Sequence, residues 1–225
     1  MTFSIVGFCE RTKMTGVAIT TSSISVGSRC PWVRARAGAV ATQNITDPSI
    51  GNEVLDSMEK GFSSKEAITQ ILEDRPNVEY RQVAAIDLNG LAASFTGKHI
   101  LGKHAVHSGE NSIAAGNLLK KSTLPKVMTD KFLETFNMHL ADRLILALLA
   151  GVESGGEEGP THSSALLVAH EQSWPLVDLR VDWSDNCPVN ELYNLWKNYK
   201  PQMESYLVRA LNPSNAPSYG VPGDR

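Results

Sequence analysis

The chain opens with two short apolar runs, FSIVGF at residues 3–8 and GVAITT at 16–21, on either side of a charged segment. Short runs enriched in β-branched residues and separated by a polar turn predict the two strands of a β-hairpin. A stretch rich in serine and glycine follows at 22–38. It has no clean period, so we predict mostly loop there. The run GAVATQ at 38–43 predicts the next strand.

The pattern then changes to a helical period. Apolar residues recur at helical spacing from 50 to 58, behind Asp47-Pro48, a pair typical of an N-cap followed by proline in the first turn. A second helix begins at a capping box, Ser63 with Glu66, and stops before Pro76. These signals predict two consecutive helices.

The rest of the chain divides into strand and helix blocks in the same way. Asn89-Gly90, between two strand-like runs, is typical of a type I′ hairpin turn. We predict the last helix either as one piece or as broken near Pro201. The predicted strands are 79–87, 91–97, 104–109, 111–117, 163–170 and 176–183, and the predicted helices are 124–136, 140–152 and 189–211.

The order of the elements indicates an α+β fold. Strands and helices come in blocks rather than alternating singly, which argues against a doubly wound parallel sheet and favours stacked antiparallel sheets with helices on their outer faces. We expect a single domain over residues 1–211. Residues 212–225, rich in proline, serine and glycine, predict a loosely packed tail.

Composition narrows the classes of partner. The formal net charge is −3 and aromatic residues make up 7% of the 225 residues, so we expect neither nucleic acid nor an anionic membrane as partner. The longest apolar stretch, residues 144–152, is far shorter than the roughly 20 residues of a membrane span. Cys9, Cys30 and Cys187 are a poor disulfide or zinc framework. We therefore expect a cytoplasmic protein with reduced thiols and no cofactor.

The N-terminus offers a nucleophile. Thr2 follows Met1, which is commonly trimmed when the next residue is as small as threonine. Trimming would place the hydroxyl of Thr2 beside its own α-amine. The ordinary pKa of this amine, near 7.7–8.0, leaves about a sixth or less of the amine neutral at pH 7. A threonine activated by an N-terminal amine is a recognised catalytic arrangement.

Several segments resemble N-terminal nucleophile (Ntn) hydrolases, and most closely the DUF1028 family, grouped with them. The segments are MTFSIVG, TGVAITTSS, PWVRARAGAVATQNITDPSIG, GLAASFTG, IAAGNLL, HSSALLV and VDLRVD. The resemblance implies a four-layer αββα sandwich and hydrolysis of an amide or peptide-like bond, with Thr2 in the position of the nucleophile. Proteasome-type members carry an acid after strand two and a lysine on strand three. Here Thr21-Ser22-Ser23 and Ala39–Gln43 hold neither.

The expected pocket is built from residues near the predicted strand ends. Asn117 would donate to an oxyanion, or else serve as a cap or turn residue. Gln43 and Asn44 would line the pocket or, like Asn117, serve as cap or turn residues. Arg34 and Arg36 would bind a carboxylate or phosphate or, alternatively, belong to a solvated or salt-bridged loop. Ser22, Ser23 and Arg29 would help to shape the pocket.

Other reactive groups are weaker candidates. His104 and His107 lie three apart on a predicted strand, so their side chains would point to opposite faces, and we expect no metal site there. Cys9 is a possible nucleophile with no identifiable partner, and a buried structural thiol is the simpler interpretation.

Two functions therefore compete. The first is an Ntn-type hydrolase of a small amide or short peptide, with Thr2 as nucleophile. The second is a binding or assembly protein that keeps the fold without chemistry. We also expect a homo-oligomer, because the last helix carries more apolar residues than a peripheral helix usually exposes: Leu192, Leu195, Trp196 and Tyr199.

Overall fold

The structure, a computed structural model, describes residues 1–221, which form ten strands and five α-helices. The strands are β1 Thr2–Phe8, β2 Thr15–Thr21, β3 Pro31–Arg34, β4 Gly38–Asn44, β5 Arg81–Asp87, β6 Ala92–Thr96, β7 Ala105–Gly109, β8 Ser112–Asn117, β9 Ser163–Ala169 and β10 Val177–Val181. The helices are α1 Ser49–Glu59, α2 Ser64–Leu72, α3 Leu124–Glu134, α4 Leu140–Glu153 and α5 Pro188–Leu211. The predicted α+β class is confirmed.

The strands form two antiparallel sheets. The large sheet has the order β10-β9-β2-β1-β8-β7 and the small sheet the order β3-β4-β5-β6. In the large sheet Thr2 pairs with Thr21 on one side and with Asn117 on the other. The first residue of β1 therefore lies in the middle of the sheet, between the ends of two neighbouring strands.

Every residue of β1 is buried, because the strand is covered on both faces. Phe3 and Ile5 belong to a core shared with α3, α4 and α5. Val6 points the other way and packs against Ala39 and Ala84 of the small sheet. Helices α1 and α2 cover the opposite face of the small sheet through a third apolar cluster. The period of two in β1 thus separates the helix-facing core from the core between the sheets.

Strand β3 corrects the prediction of mostly loop at 22–38. Residues 31–34 pair with β4, with Trp32 opposite Val40. A four-residue edge strand is too short to show a period, and Pro31 is tolerated as its first residue because that position can face away from the ladder. The prediction of mostly loop therefore holds for the rest of 22–37 but missed this strand.

The Asn89-Gly90 turn also differs from its prediction. Gly90 has a φ of +76°, but Asn89 is not among the residues with positive φ, as a type I′ turn would require. Instead the Asp87 carboxylate accepts hydrogen bonds from the backbone N–H groups of Asn89 and Leu91. The conformation of this loop is therefore determined by a buried carboxylate and not by the turn dipeptide.

Helix α5 runs unbroken through Pro201. Proline removes one backbone hydrogen bond, that to the carbonyl of Lys197. Both residues are exposed, so water can satisfy that carbonyl and the helix continues. The capping box of Ser63 and Glu66 is confirmed at the start of α2.

The inner face of α5 is buried within the chain. Leu192 and Trp196 are fully buried, and Trp196 Nε1 donates to Asp142 Oδ1 at 2.8 Å. Lys200 Nζ donates to the other oxygen of Asp142 at 2.7 Å. Two of the four apolar residues on which the prediction of self-association depends are therefore buried within the chain and cannot contact a second copy. Leu195 stays 41% exposed, and self-association stays a prediction.

The segment after α5 is tied back onto the helix. Arg209 donates to the carbonyls of Pro217 and Ser218, and its guanidinium lies 3.8 Å from the centre of the Tyr219 ring. Residues 222–225 of the predicted tail lie outside the described residues. Over the described part of the chain, no helix combines the length and apolarity that crossing a membrane requires.

Two facing glycines let the helices approach the large sheet closely. Gly7 of β1 pairs with Gly16 of β2. A Cβ on Gly7 would lie 2.6 Å from the Phe132 ring, and one on Gly16 would lie 2.7 Å from both Leu144 and the backbone oxygen of Leu167. The absence of side chains here allows α3 and α4 to pack against the sheet.

We expect Gly16→Ala to lower the free energy of unfolding by about 1–3 kcal/mol, because the new methyl group overpacks against a backbone atom that cannot move aside. Chemical denaturation measures the change. Ser94→Ala on the exposed edge strand β6 is the control and should stay within about 0.5 kcal/mol of wild type. An unaltered midpoint for Gly16→Ala would contradict this account of the packing.

Candidate functional site

Thr2 lies at the mouth of the gap between the two sheets. Its side chain shares a face of β1 with Ser4 and Val6, the face that looks toward the small sheet. Thr2 is only 5% exposed. The hydroxyl is therefore held in a largely water-free position whose neighbours come from β2, β8 and the small sheet.

Two threonine hydroxyls converge on one carbonyl. Thr2 Oγ1 donates to the carbonyl oxygen of Met1 at 2.6 Å, and Thr21 Oγ1 donates to the same oxygen. The two hydroxyl oxygens lie 3.0 Å apart. This pairing follows from the hairpin register, which sets Thr2 directly opposite Thr21. A carbonyl at this point meets two hydroxyl donors together.

The cluster continues toward Arg29. Ser23 Oγ lies 3.4 Å from Thr21 Oγ1 and accepts a hydrogen bond from Arg29 Nη2 at 2.6 Å. Arg29 Nη1 donates to the carbonyls of Ile24 and Ser25 at 2.7 and 2.8 Å. The guanidinium thus holds the 23–25 loop in place, and Ser23 links it to the hydroxyl of Thr21.

Below the hydroxyls, a chain of side-chain amides crosses between the sheets. Gln82 Nε2 donates to the backbone carbonyl of Gly116 at 3.3 Å, which fixes the orientation of the Gln82 amide. Gln82 Oε1 then accepts from Gln43 Nε2 at 2.8 Å and from Asn117 Nδ2 at 3.3 Å. Ser4 Oγ donates to Gln43 Oε1 at 2.8 Å. One backbone carbonyl therefore orients the whole chain of amides.

This orientation leaves Asn117 with an unpartnered acceptor. Asn117 is fully buried beside Thr2, and its Oδ1 has no hydrogen-bond partner among the described residues. Its amide nitrogen, the atom predicted to serve an oxyanion, donates to Gln82. The atom that Asn117 offers to a ligand is an acceptor, and the donor nearest to the Met1 carbonyl is Thr21.

Glu157 is a second buried group without a partner. It is 2% exposed, and neither carboxylate oxygen has a hydrogen-bond partner within residues 1–221. The backbone holds it in place through a bridge to Leu119 and a bond from Glu158 N to the Leu118 carbonyl at 2.9 Å. Burial raises the pKa of the Glu157 carboxyl to about 8, and the N-terminal ammonium opposes that rise.

A cavity of about 330 Å³ adjoins Glu157. Phe3, Lys120, Gly159 and Pro160 are among its lining residues. Gly159 also contacts Met1: a Cβ on this glycine would lie 2.9 Å from Met1 Cε. The N-terminal residue and the buried carboxylate therefore share one region of the surface.

The two buried thiols differ in reactivity. Burial raises the pKa of Cys30 to about 11, against the opposing charges of Arg29 and the N-terminal ammonium, so this thiol is inert near the site. Burial also acts to raise the pKa of Cys9, but hydrogen bonds at Thr12 and Arg11 and the charge of Arg143 outweigh it and lower that pKa. Cys9 lines a separate cavity of about 340 Å³ beyond the far end of β1.

The structure brings some predicted site residues together. Thr2 and Asn117 are paired neighbours, and Ser22 follows Thr21 directly. Ser23, Arg29 and Gln43 join the same polar cluster through the contacts above. Asn44 lies at its edge, where Nδ2 donates to the Tyr80 carbonyl at 2.8 Å and Oδ1 accepts from Leu101 N.

Arg34 and Arg36 lie elsewhere. Arg34 ends β3 opposite Gly38, and Gly38 accepts a hydrogen bond from Thr15, at the other end of β2 from Thr21. That separation is about 20 Å for a strand of this length. Arg34 pairs with Asp56 and Glu59 of α1, the salt-bridge alternative stated for these arginines.

The histidines form local contacts. His107 Nδ1 lies 2.7 Å from Thr129 Oγ1, and His104 Nδ1 lies 3.1 Å from the Gly102 carbonyl. Within residues 1–221, no group of three or more His, Cys, Asp or Glu residues could hold a metal ion.

Sequence reasoning missed Thr21, Gln82 and Glu157. Thr21 had a partial signal: pairing the runs 3–8 and 16–21 end to end sets Thr2 opposite Ser22, one residue from the observed pair of Thr2 and Thr21. Gln82 and Glu157 carry no local signal. Glu157 stands in the polar segment ESGGEEGP, and only its tertiary bridge to Leu119 buries it.

The chain is similar in sequence to one protein family and in fold to a solved structure. The model of DUF1028, a family of unknown function, matches residues 2–192. A crystal structure of protein SPO2555 from Silicibacter pomeroyi, described as a DUF1028 protein, is similar to the chain with a TM-score of 0.82 and 30% identity. The similarity covers 88% of this chain and 89% of that one. Among curated proteins, none matches the chain.

The buried Glu157 predicts a pH-dependent stability. Its folded pKa, about 8, exceeds the ordinary value of 4.5, so the folded state binds more protons between these values and stability falls as the pH rises through them. At about 1.4 kcal/mol per pKa unit, the ionised carboxylate costs on the order of several kcal/mol above pH 8.

We therefore expect Glu157→Gln to raise the melting temperature at pH 9 and to change it little at pH 5. Thermal unfolding across this range measures the effect. The neighbouring Glu158→Gln, with a side chain 52% exposed, is the control and should follow wild type at both pH values. A Glu157→Gln protein no more stable than wild type at pH 9 would contradict the burial cost.

Proposed function

The chain belongs to the DUF1028 family, whose function is unknown, and from the residues of its site we propose that it is an Ntn-type hydrolase of an amide or short peptide-like bond. Thr2 is the nucleophile once Met1 is removed, in an αββα sandwich of the Ntn kind. The observation that carries this proposal is the convergence of the Thr2 and Thr21 hydroxyls on a single carbonyl oxygen.

In the first step, the Thr2 hydroxyl attacks the carbonyl carbon of the substrate amide. The free α-amine of Thr2 accepts the hydroxyl proton and passes it to the leaving amine. The C–N bond breaks, and an ester forms between the acyl group and Thr2 Oγ1. The Thr21 hydroxyl donates to the oxygen that gains negative charge.

In the second step, water attacks the ester carbonyl. The α-amine accepts a proton from this water, and the proton goes to Thr2 Oγ1 as the ester bond breaks. The acid product leaves and the threonine is restored. No cofactor enters either step, because the amine and the hydroxyl supply both the base and the nucleophile.

The surrounding network supports this chemistry by holding its parts rigid. Thr2 sits in a fully paired central strand, and Thr21 is linked to Arg29 through Ser23. A preorganised donor needs no reorganisation when charge develops on the substrate oxygen.

The proposal requires Thr2 to be the first residue of the active chain. We expect the native protein to have lost the mass of Met1 on intact mass spectrometry, and the processed chain to hydrolyse members of a panel of amides, acyl amino acids and dipeptides. Thr2→Ala should lower that hydrolysis by at least about a thousandfold, because nucleophile and base act as a unit.

Thr2→Ala should cost only about 1 kcal/mol of stability, the net worth of its hydrogen bonds. Thr2→Ser should retain partial turnover because the hydroxyl survives, and Thr2→Cys tests a thiol in its place. Hydrolysis that Thr2→Ala preserves would move the chemistry to another residue, with Cys9 the next to examine. A native chain that still carries Met1 would favour the binding or assembly protein.

Thr21 should act as a donor rather than a structural hydroxyl. We expect Thr21→Val to lower kcat by roughly 100-fold, the usual cost of one oxyanion donor, with a small change in KM. Thr20→Val is the matched control: Thr20 is the adjacent residue of β2, fully buried, and its hydroxyl bonds to the Ser163 carbonyl. Equal losses in the two variants would contradict the donor role.

A further inference from the structure

We propose that the substrates are aminoacyl amides, compounds with a free ammonium group beside the scissile carbonyl, and that Glu157 binds this ammonium. The inference rests on the proposed function and names its substrate class. It comes from the way the chain holds its own first residue, which is itself an aminoacyl group joined by an amide bond to Thr2.

Met1 shows how such a group fits the site. Its carbonyl oxygen accepts hydrogen bonds from Thr2 and from Thr21, the residue proposed to donate to a scissile carbonyl. Its α-ammonium acts on Glu157 and opposes the rise in the pKa of that carboxyl. Its thioether packs against Gly159. Removal of Met1 vacates these three contacts at once, and an incoming aminoacyl group has the same three parts.

Glu157 has no hydrogen-bonded cation within the described chain. It is 2% exposed, both oxygens are unpartnered in the described chain, and it lines the cavity of about 330 Å³ beside Met1. Lys120 also lines this cavity but is exposed and forms no salt bridge with Glu157. Once Met1 leaves, its α-ammonium leaves with it, and a ligand ammonium restores the lost charge pair.

A carboxylate selects this chemistry over its neighbours. An ionised carboxylate only accepts hydrogen bonds, so it matches an ammonium group and opposes the carboxylate of an acidic ligand. Acetylation of the ligand amine removes the charge and two of its N–H donors. The structure thus assigns to Glu157 the discrimination between free and acylated amines. The absence of a side chain at Gly159 leaves space for the side chain of the bound aminoacyl group.

Binding without turnover tests the assignment. The protein is the full chain carrying Thr2→Ala, with loss of Met1 verified by intact mass, and the probes are L-methioninamide and N-acetyl-L-methioninamide in calorimetric titrations. We expect the free amine to bind about 10- to 100-fold more tightly than the acetylated amide, the usual contribution of a hydrogen-bonded charged partner. Adding Glu157→Gln should abolish that preference, and adding Glu158→Gln should preserve it.

Gly159→Ala gives an independent arm, because Gly159 has no positive φ and alanine fits its backbone. This variant should weaken L-methioninamide severalfold and leave glycinamide unchanged. Equal binding of the free and acetylated amides, a preference that survives Glu157→Gln, or binding of neither probe would each overturn the inference.

The same probes with Thr2 intact separate the two proposals. Binding preference without hydrolysis of either probe keeps Glu157 as the ammonium site and contradicts the hydrolase. Hydrolysis of both amides at equal kcat/KM supports the hydrolase and contradicts the role of Glu157. Hydrolysis of the free amine alone, with loss of that selectivity in Glu157→Gln, supports both.

Discussion

The structure depends on a central strand that is also the first strand. β1 is hydrogen-bonded on both sides and packed on both faces, so it occupies the most buried position of the large sheet. A chain terminus carries a charge and is usually found at the surface. Here the terminus meets solvent only at the end of the strand, where β2, β8 and the small sheet surround it. That constraint places a terminal amine, a hydroxyl and several acceptors within one small volume.

The polar groups around Thr2 are almost completely satisfied by one another. A buried polar group without a partner costs free energy, so interiors rarely tolerate it. The chain of amides from Gly116 to Ser4 obeys this rule, and its members hold each other rigid. Asn117 Oδ1 and the Glu157 carboxylate are the exceptions beside the N-terminus. Both are acceptors, so the unsatisfied part of the site favours a ligand rich in N–H donors.

Local patterns predicted much of the fold. The β1–β2 hairpin, the capping box at Ser63 and the succession of strand and helix blocks follow from short-range periodicity and capping chemistry. Thr2, the residue that opens β1, was a nucleophile candidate because it follows Met1 and because the chain resembles Ntn hydrolases. Strand β3 could not be predicted, because four residues of an edge strand carry no period, and its pairing with β4 comes from packing.

Longer-range features escaped sequence reasoning for a common physical reason. Arg34 was expected near Thr2, but its partners Asp56 and Glu59 lie on a helix more than twenty residues away in sequence. Trp196 was counted among the apolar residues that favour self-association, but it packs within the chain, where the buried Asp142 of α4 accepts its N–H. Glu157 was part of a flexible break. In each case the partner that decides the position is distant in sequence, and only the fold brings it close.

The charge balance at the amine connects the two halves of the site. A nearby carboxylate stabilises an ammonium group and would keep the α-amine of Thr2 protonated, unable to accept the hydroxyl proton. Burial counters this by favouring the neutral form of Glu157 near neutral pH. A substrate ammonium paired with Glu157 would counter it differently, since the carboxylate would then be ionised but already neutralised by its own partner. Under this arrangement the substrate ammonium, and not a residue of the chain, neutralises the carboxylate beside the amine.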